Sequence, residues 1–287
     1  MKQARARRSV LYVPAANAKA MAKAGSLDCD AIIFDLEDAV APAAKSDARD
    51  ALKAHFADQP ICAKERIIRI NAMATTWGED DLAAATACGP DAVLLPKVEH
   101  AEQLLFVRRA LDADGANGIR LWAMVETPLG IVNIREITAL GEAAGLECLV
   151  AGTNDIAKES GLRLPQGRAT MTLWLSQVVI HARAFHLDIL DGVYNDFRDQ
   201  DGFDLECREG ALMSFDGKTL IHPTQIEPAN RAFSPSLEAL AEAREIVAAF
   251  GLPENAQAGV LSLNGKMVER LHLEMAERIL AKGGARA

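Results

Sequence analysis

Eight short apolar runs, each followed by a helical stretch, constrain this chain more than any other feature. They cover residues 9–15, 31–37, 66–71, 92–97, 121–126, 148–155, 187–193 and 218–223. Successive positions in these runs are apolar, so both faces of each strand are buried, as in a parallel sheet covered by helices. Eight strand–helix units in about 230 residues predict a closed (β/α)8 barrel, a TIM barrel. An open doubly wound sheet is the alternative, but it favours a glycine-rich loop after its first strand. Here the first run leads into Pro14-Ala-Ala-Asn17 instead. The barrel is expected to span residues 1–233, and residues 234–287 a C-terminal helical extension. In that extension one helix runs to about residue 250, Gly251-Leu-Pro253 breaks it, and a last helix covers residues 268–280.

A barrel of this kind carries its active site at the C-terminal ends of its strands. Those ends present Asp35, Glu37 and Asp38, then Arg69 and Asn71, then Lys97. Glu126 follows on the fifth strand, Asn154 and Asp155 on the sixth, Asp191 on the seventh and His222 on the eighth. Glu126 ends an apolar run with no polar transition, and Asp155 stands at the same place in the next unit. Two adjacent strands that each end on a carboxylate can hold a divalent cation between them. Oxygen donors without His or Cys select Mg2+, with Mn2+ as its substitute, over Zn2+. Such an ion keeps positions open for the oxygens of a keto acid or hydroxy acid, and the Arg69 fork suits a carboxylate or an enolate oxygen. Plainer roles stand beside these. Arg69 could pair with Asp35 or Glu37, Lys97 could be a structural ion-pair partner, Asp191 could cap a turn with Gly192, and His222 could be a structural hydrogen-bonding residue.

The net charge of -9 argues against nucleic acid or an acidic membrane surface as a partner. No run approaches the length of a membrane span, and Lys2, Arg5, Arg7 and Arg8 lead into only a short apolar stretch, so no signal peptide is expected. Five scattered cysteines suggest reduced thiols and a cytoplasmic location.

Several motifs together carry a resemblance. Arg8-Ser-Val-Leu-Tyr-Val-Pro14, Phe34-Asp-Leu-Glu-Asp38, Arg69-Ile-Asn71, Leu95-Pro-Lys97, Glu126-Thr-Pro-Leu-Gly130, Gly152-Thr-Asn-Asp155 and Gly217-Lys-Thr-Leu-Ile-His-Pro223 occur in this order. The chain resembles the citrate lyase β-subunit (CitE-like) family of the HpcH/HpaI aldolase superfamily. The resemblance implies a Mg2+-dependent lyase that cleaves a short 3-hydroxyacyl-CoA, of citramalyl-CoA or malyl-CoA type, into acetyl-CoA and a 2-keto acid by retro-Claisen chemistry. It implies Glu126 and Asp155 as metal ligands, and Arg69, Glu126, Gly152 and Thr153 at the substrate. Arg69, Glu37, Asp38 and Glu269 would serve catalysis, with Glu269 reaching over from a neighbouring subunit of a homotrimer. The family's usual residue at position 269 is Asp, and Glu adds one methylene. Two other activities are compatible with the resemblance: a malyl-CoA-type thioesterase, and a citrate lyase β subunit acting on a carrier-bound citryl thioester.

Overall fold

The structure, a computed structural model, describes residues 5–59, 62, 64–164, 167–255 and 257–283. Residues 1–4 and 284–287, the outer ends of the two expected domains, lie outside the described residues. Two compact units result, one from Arg7 to Phe233 and one from Ser234 through the last helix.

The first unit is the closed eight-stranded parallel barrel expected from the alternation. Its strands are β1 (Ser9–Pro14), β2 (Ala31–Asp35), β3 (Glu65–Arg69), β4 (Ala92–Leu95), β5 (Arg120–Val125), β6 (Leu146–Ala151), β7 (Asp188–Asp191) and β8 (Gly217–Leu220). Each pairs with the next, and β1 closes the ring against β8 with Val10 opposite Thr219. Gly217 is required there by close approach, because a Cβ would fall 1.8 Å from the Arg7 carbonyl oxygen.

Alternation along the strands makes two separate cores. Val10, Ile33, Ile67, Leu94, Trp122, Met124 and Val150 fill the barrel interior. Leu11, Ile32, Phe34, Ile68, Val93, Leu121 and Leu149 pack outward beneath the helices. The inward phase continues to the strand ends and sets the polar layer above the apolar one. Asp35 lies two residues past Ile33, Arg69 two past Ile67, Glu126 two past Met124 and Gly152 two past Val150.

Arg7 closes the opposite end of the barrel. Its guanidinium donates to Glu65 at 2.6 and 2.8 Å, to Asp188 at 2.5 Å and to Glu147 at 3.1 Å, and it lies 4.9 Å over the Trp122 ring. One residue thus ties the start of β1 to β3, β6 and β7.

The second unit departs from the expected pair of helices. A helix spans Leu237–Gly251, with the Ser236 hydroxyl accepting from the Ala239 N–H at its start. A two-stranded antiparallel hairpin follows, β9 (Val260–Leu263) and β10 (Lys266–Glu269), and the final helix is Arg270–Gly283. Val268 and Glu269 therefore belong to a strand, not to the helix expected from residue 268. The hairpin turns at Asn264 (φ 52°) and Gly265 (φ 77°), two left-handed residues in the pair that favours a tight hairpin. Val268 packs with Ala243, Ile246, Phe250 and Ala276 into a small core of its own. Among the described residues no helix is long and apolar enough to cross a membrane.

Candidate active site

A cavity of about 380 Å³ opens at the C-terminal ends of the strands. Tyr12, Asp35, Asp38, Arg69, Met124, Glu126, Gly152, Thr153, Asn154 and Asp155 line it, with Val193, Asn195, Thr219 and Ile221 on the far side. Six of the strand-end residues picked out by sequence therefore meet around one space: Asp35, Asp38, Arg69, Glu126, Asn154 and Asp155.

Glu126 is the most constrained of them. Its Oε1 accepts the Lys97 N–H at 2.7 Å, and its side chain is 1% exposed. Lys97 adopts a left-handed conformation (φ 48°) that a residue with a side chain rarely takes. That turn aims its main-chain donor at the carboxylate. On the other side Gly152 leaves room, since a Cβ there would sit 2.3 Å from Glu126 Cβ and 2.7 Å from Oε2. Burial, then the neighbouring charges of Glu37 and Asp155, push the Glu126 carboxyl up to about 8 against the opposing Lys97 hydrogen bond.

Arg69 is anchored from below. Its Nε and Nη2 donate to the two Asp35 oxygens at 2.7 and 2.6 Å, a bidentate pair between β3 and β2. Asp35 also accepts the N–H groups of Glu37 and Ala39, which folds the β2 loop back over the strand. Nη1 lies 2.7 Å from Glu37 Oε2 and 3.5 Å from Asp38 Oδ2. The Glu37 contact is an ion pair without hydrogen-bond alignment, and that oxygen has no hydrogen-bond partner. Burial first, with Asp38 and Asp35 adding, raises the Glu37 carboxyl to about 7 despite Arg69. Lys45 holds the same loop from behind by donating to the Leu36 and Glu37 carbonyls at 2.9 and 3.0 Å, while Trp77 covers its ammonium. Burial would lower the Lys97 ammonium, but the acids Asp155, Glu37, Glu126 and Asp38 raise it.

The chemistry of this donor set fits a divalent cation. Five carboxylates (Asp35, Glu37, Asp38, Glu126 and Asp155) surround two cations (Arg69 and Lys97), and two of the carboxyls are forced toward their neutral forms. Glu126 has one oxygen committed to Lys97 and the other beside the space that Gly152 leaves open. A hard cation between Glu126 and Asp155 would relieve this crowding.

Other strand-end residues do different work. Asp191 ends β7 in the outward phase, because Leu190 faces the interior. It is fully buried and accepts from Arg168 at 2.5 Å, Lys218 at 3.0 Å and the Gly192 N–H at 2.8 Å. Burial opposes its charge, yet Lys218 and Arg168 hold it below the ordinary carboxylate range. It is a structural acid, outside the cavity lining. Asn71 donates to the Leu36 carbonyl and to buried Asp81. His222 stacks on Phe197 at 4.5 Å and caps the short turn at Pro223 by accepting the Thr224 N–H. Glu269 belongs to the second unit, where its main-chain N–H donates to His272. A separate exposed cluster of His100, Glu102 and Glu136 lies on the helices outside the cavity lining.

Sequence reasoning passed over Tyr12 and Lys45. Tyr12 lay within the first motif at the inward phase two residues before Pro14, which was the available signal. Lys45 gave none, since it sits in an ordinary helix start.

Residues 8–223 match the family described as HpcH/HpaI aldolase/citrate lyase. The chain belongs to that family. Among its relatives, a (3S)-malyl-CoA thioesterase of Cereibacter sphaeroides is 45% identical over 283 residues, covering 99% of this chain and 96% of that one. The mitochondrial citramalyl-CoA lyase of Rattus norvegicus is 32% identical over 287 residues, covering 96% of this chain and 85% of that one. A solved structure of CitE from Mycobacterium tuberculosis, in complex with magnesium, acetoacetate and coenzyme A, superposes with a TM-score of 0.76. Its identity is 32%, and the match covers 96% of this chain and 97% of that one. The chain is thus an HpcH/HpaI-family enzyme whose relatives include both thioesterases and lyases.

Proposed function

We propose that this HpcH/HpaI-family enzyme acts on a malyl-CoA-type thioester with Mg2+ bound between Glu126 and Asp155, and that it hydrolyses the thioester. The observation that carries the hydrolytic reading is the 45% identity to a (3S)-malyl-CoA thioesterase over almost the whole of both chains. Bound Mg2+ would supply charge neutralisation and orientation for the substrate's carboxylate and hydroxyl oxygens. Arg69, fixed by Asp35, holds its Nη1 edge toward the cavity for a substrate oxygen. Glu37 and Asp38 shape the acidic rim, and Gly152 and Thr153 let the substrate approach the main chain at the start of the helix Thr153–Ser160. Glu269 is proposed as an acid/base delivered by a neighbouring subunit of a homotrimer, as the family resemblance implies.

A second reading, C–C cleavage of a citramalyl-CoA- or malyl-CoA-type substrate to acetyl-CoA and a 2-keto acid, is favoured by the 32% identical citramalyl-CoA lyase. The two reactions leave different products. Hydrolysis of malyl-CoA gives free thiol and malate, whereas cleavage gives acetyl-CoA and glyoxylate. Pure protein is incubated with malyl-CoA and citramalyl-CoA, with and without Mg2+, and thiol and keto acid are followed separately. Thiol release without keto acid supports hydrolysis. Keto acid with no free thiol replaces it with the lyase, and activity only on a carrier-bound citryl thioester replaces both.

A further inference from the structure

Tyr12 stands in the cavity with a hydroxyl that the protein itself barely uses. It occupies the inward phase of β1, and its ring carries the Arg69 guanidinium 4.9 Å above it. β1 and β5 face each other across the eight-stranded ring. The Tyr12 hydroxyl nonetheless reaches Met124 Sδ at 3.7 Å, so the side chain crosses the lumen and forms the cavity floor. Arg69 Nη1 points at the same sulfur, also at 3.7 Å. Arg69 Nη1 also has the Glu37 carboxylate beside it at 2.7 Å, but the Tyr12 hydroxyl meets only this poor acceptor, although a buried tyrosine hydroxyl ordinarily finds an oxygen or nitrogen partner.

We propose that Tyr12 Oη stands beside Arg69 Nη1 as a second donor to the thioester carbonyl oxygen of the substrate and helps to stabilise the negative charge that develops on it. The proposal rests on the reading that the substrate is an acyl thioester, but not on which bond is cut. In hydrolysis, water adds to the carbonyl carbon and the electron pair moves to that oxygen; the pair then returns as the C–S bond breaks, and the thiolate leaves to take up a proton. In C–C cleavage, the proton of the 3-hydroxyl leaves and a carbonyl forms. The broken C–C pair passes into a thioester enolate, whose charge rests on the same oxygen until the enolate carbon takes up a proton, balancing the one lost by the hydroxyl, to give the acetyl thioester. Five carboxylates surround this site, so an oxyanion there needs dedicated donors, and a phenol supplies one without adding charge. Burial, chiefly, raises the Tyr12 hydroxyl above its ordinary value and keeps it a donor.

Tyr12→Phe removes one oxygen and only a weak hydrogen bond to sulfur, so the thermal midpoint should stay within about 1 °C of wild type. Loss of an oxyanion donor lowers kcat by roughly 10- to 100-fold with KM changed less than about threefold. A packing role would not produce that split. Turnover within about twofold of wild type overturns the inference alone and leaves the proposed function standing. A rise in KM with kcat unchanged also overturns it, by showing ground-state binding only. A wild-type protein inert toward malyl-CoA, citramalyl-CoA and a carrier-bound citryl thioester alike overturns the inference and the proposed function together.

Discussion

Replacing Gly152 with alanine should disable the site through a single methyl group. At φ -91° and ψ 74° the backbone of Gly152 is open to any residue, so the substitution introduces no torsional strain. The new Cβ, however, would lie 2.3 Å from Glu126 Cβ and 2.7 Å from Oε2. Carbon atoms rest in contact at roughly 3.5 Å, so the Glu126 side chain must withdraw by about 1 Å. It has little freedom to do so. Its Oε1 is held at 2.7 Å by the Lys97 N–H, and Lys97 is already in a left-handed turn at φ 48°. Overpacking of this kind costs about 1–3 kcal/mol of stability. A displacement of roughly 1 Å in a group that positions substrate costs of order 100-fold in rate. Titration calorimetry with Mg2+ and initial rates on the preferred thioester measure the two effects. Folded Gly152→Ala protein with wild-type Mg2+ affinity and wild-type kcat/KM would refute the claim that Glu126 and Gly152 form the cradle of the metal.

Further outcomes follow from the same geometry. Glu37 and Glu126 hold protons up to about 7 and 8 when folded, against an ordinary 4.5, so their share of stability is complete below about pH 4.5 and is lost as pH climbs through those values. Between about pH 4.5 and 8 the thermal midpoint of chelator-treated protein should fall on account of these groups. Added Mg2+ should flatten that fall, and calorimetry at about pH 7 in buffers of different ionisation heat should show proton release on Mg2+ binding; no release rejects the assignment. Asp191→Asn should cost about 3–5 kcal/mol in denaturant unfolding, because it leaves the buried Lys218 and Arg168 charges short of a partner. Its Mg2+ affinity should stay within about twofold of wild type, and a large loss would refute its purely structural role. Glu269→Gln should lower turnover by roughly 100-fold or more at unchanged Mg2+ affinity, as for loss of a general acid or base. Turnover equal to wild type removes Glu269 from the chemistry.

The barrel was legible because most of the strands, such as β2, β4 and β5, are apolar on both faces, a pattern that few other folds require. Legibility fell where the outcome depends on phase within a very short element. β7 has only four residues, Asp188–Asp191, and its sequence does not say which of Leu190 and Asp191 points inward. The ring geometry decides that, and it turns Asp191 toward Lys218 and Arg168. The tail hairpin was hidden for a related reason. Val260–Leu263 and Lys266–Glu269 are too short for period two to stand out from a helical period, although Asn264-Gly265 between them is a tight-turn signal. Contacts spanning many residues left no local trace at all, such as Arg7 with Glu65 or Arg168 with Asp191. The candidate metal pair was visible because two adjacent apolar runs each lead into an acid, but the two acids do not share one position: Glu126 directly follows β5 in register with Gly152, whereas Asp155 is the third residue of the helix Thr153–Ser160. Tyr12 was not visible, because its significance lies in which atoms its hydroxyl fails to meet.

Arg7 gives the barrel a division of labour between its two ends. There one guanidinium at the start of β1 is shared among carboxylates of β3, β6 and β7 without any added ion, and it ties β1 to three strands that are not its own neighbours. At the other end like charges crowd together, an electrostatic frustration that a cation would offset. Such a molecule can tolerate a strained workplace because its foundation is self-sufficient. Loss of the clamp would have no remedy in solution, whereas the repulsion at the mouth is of a kind that a bound cation would relieve.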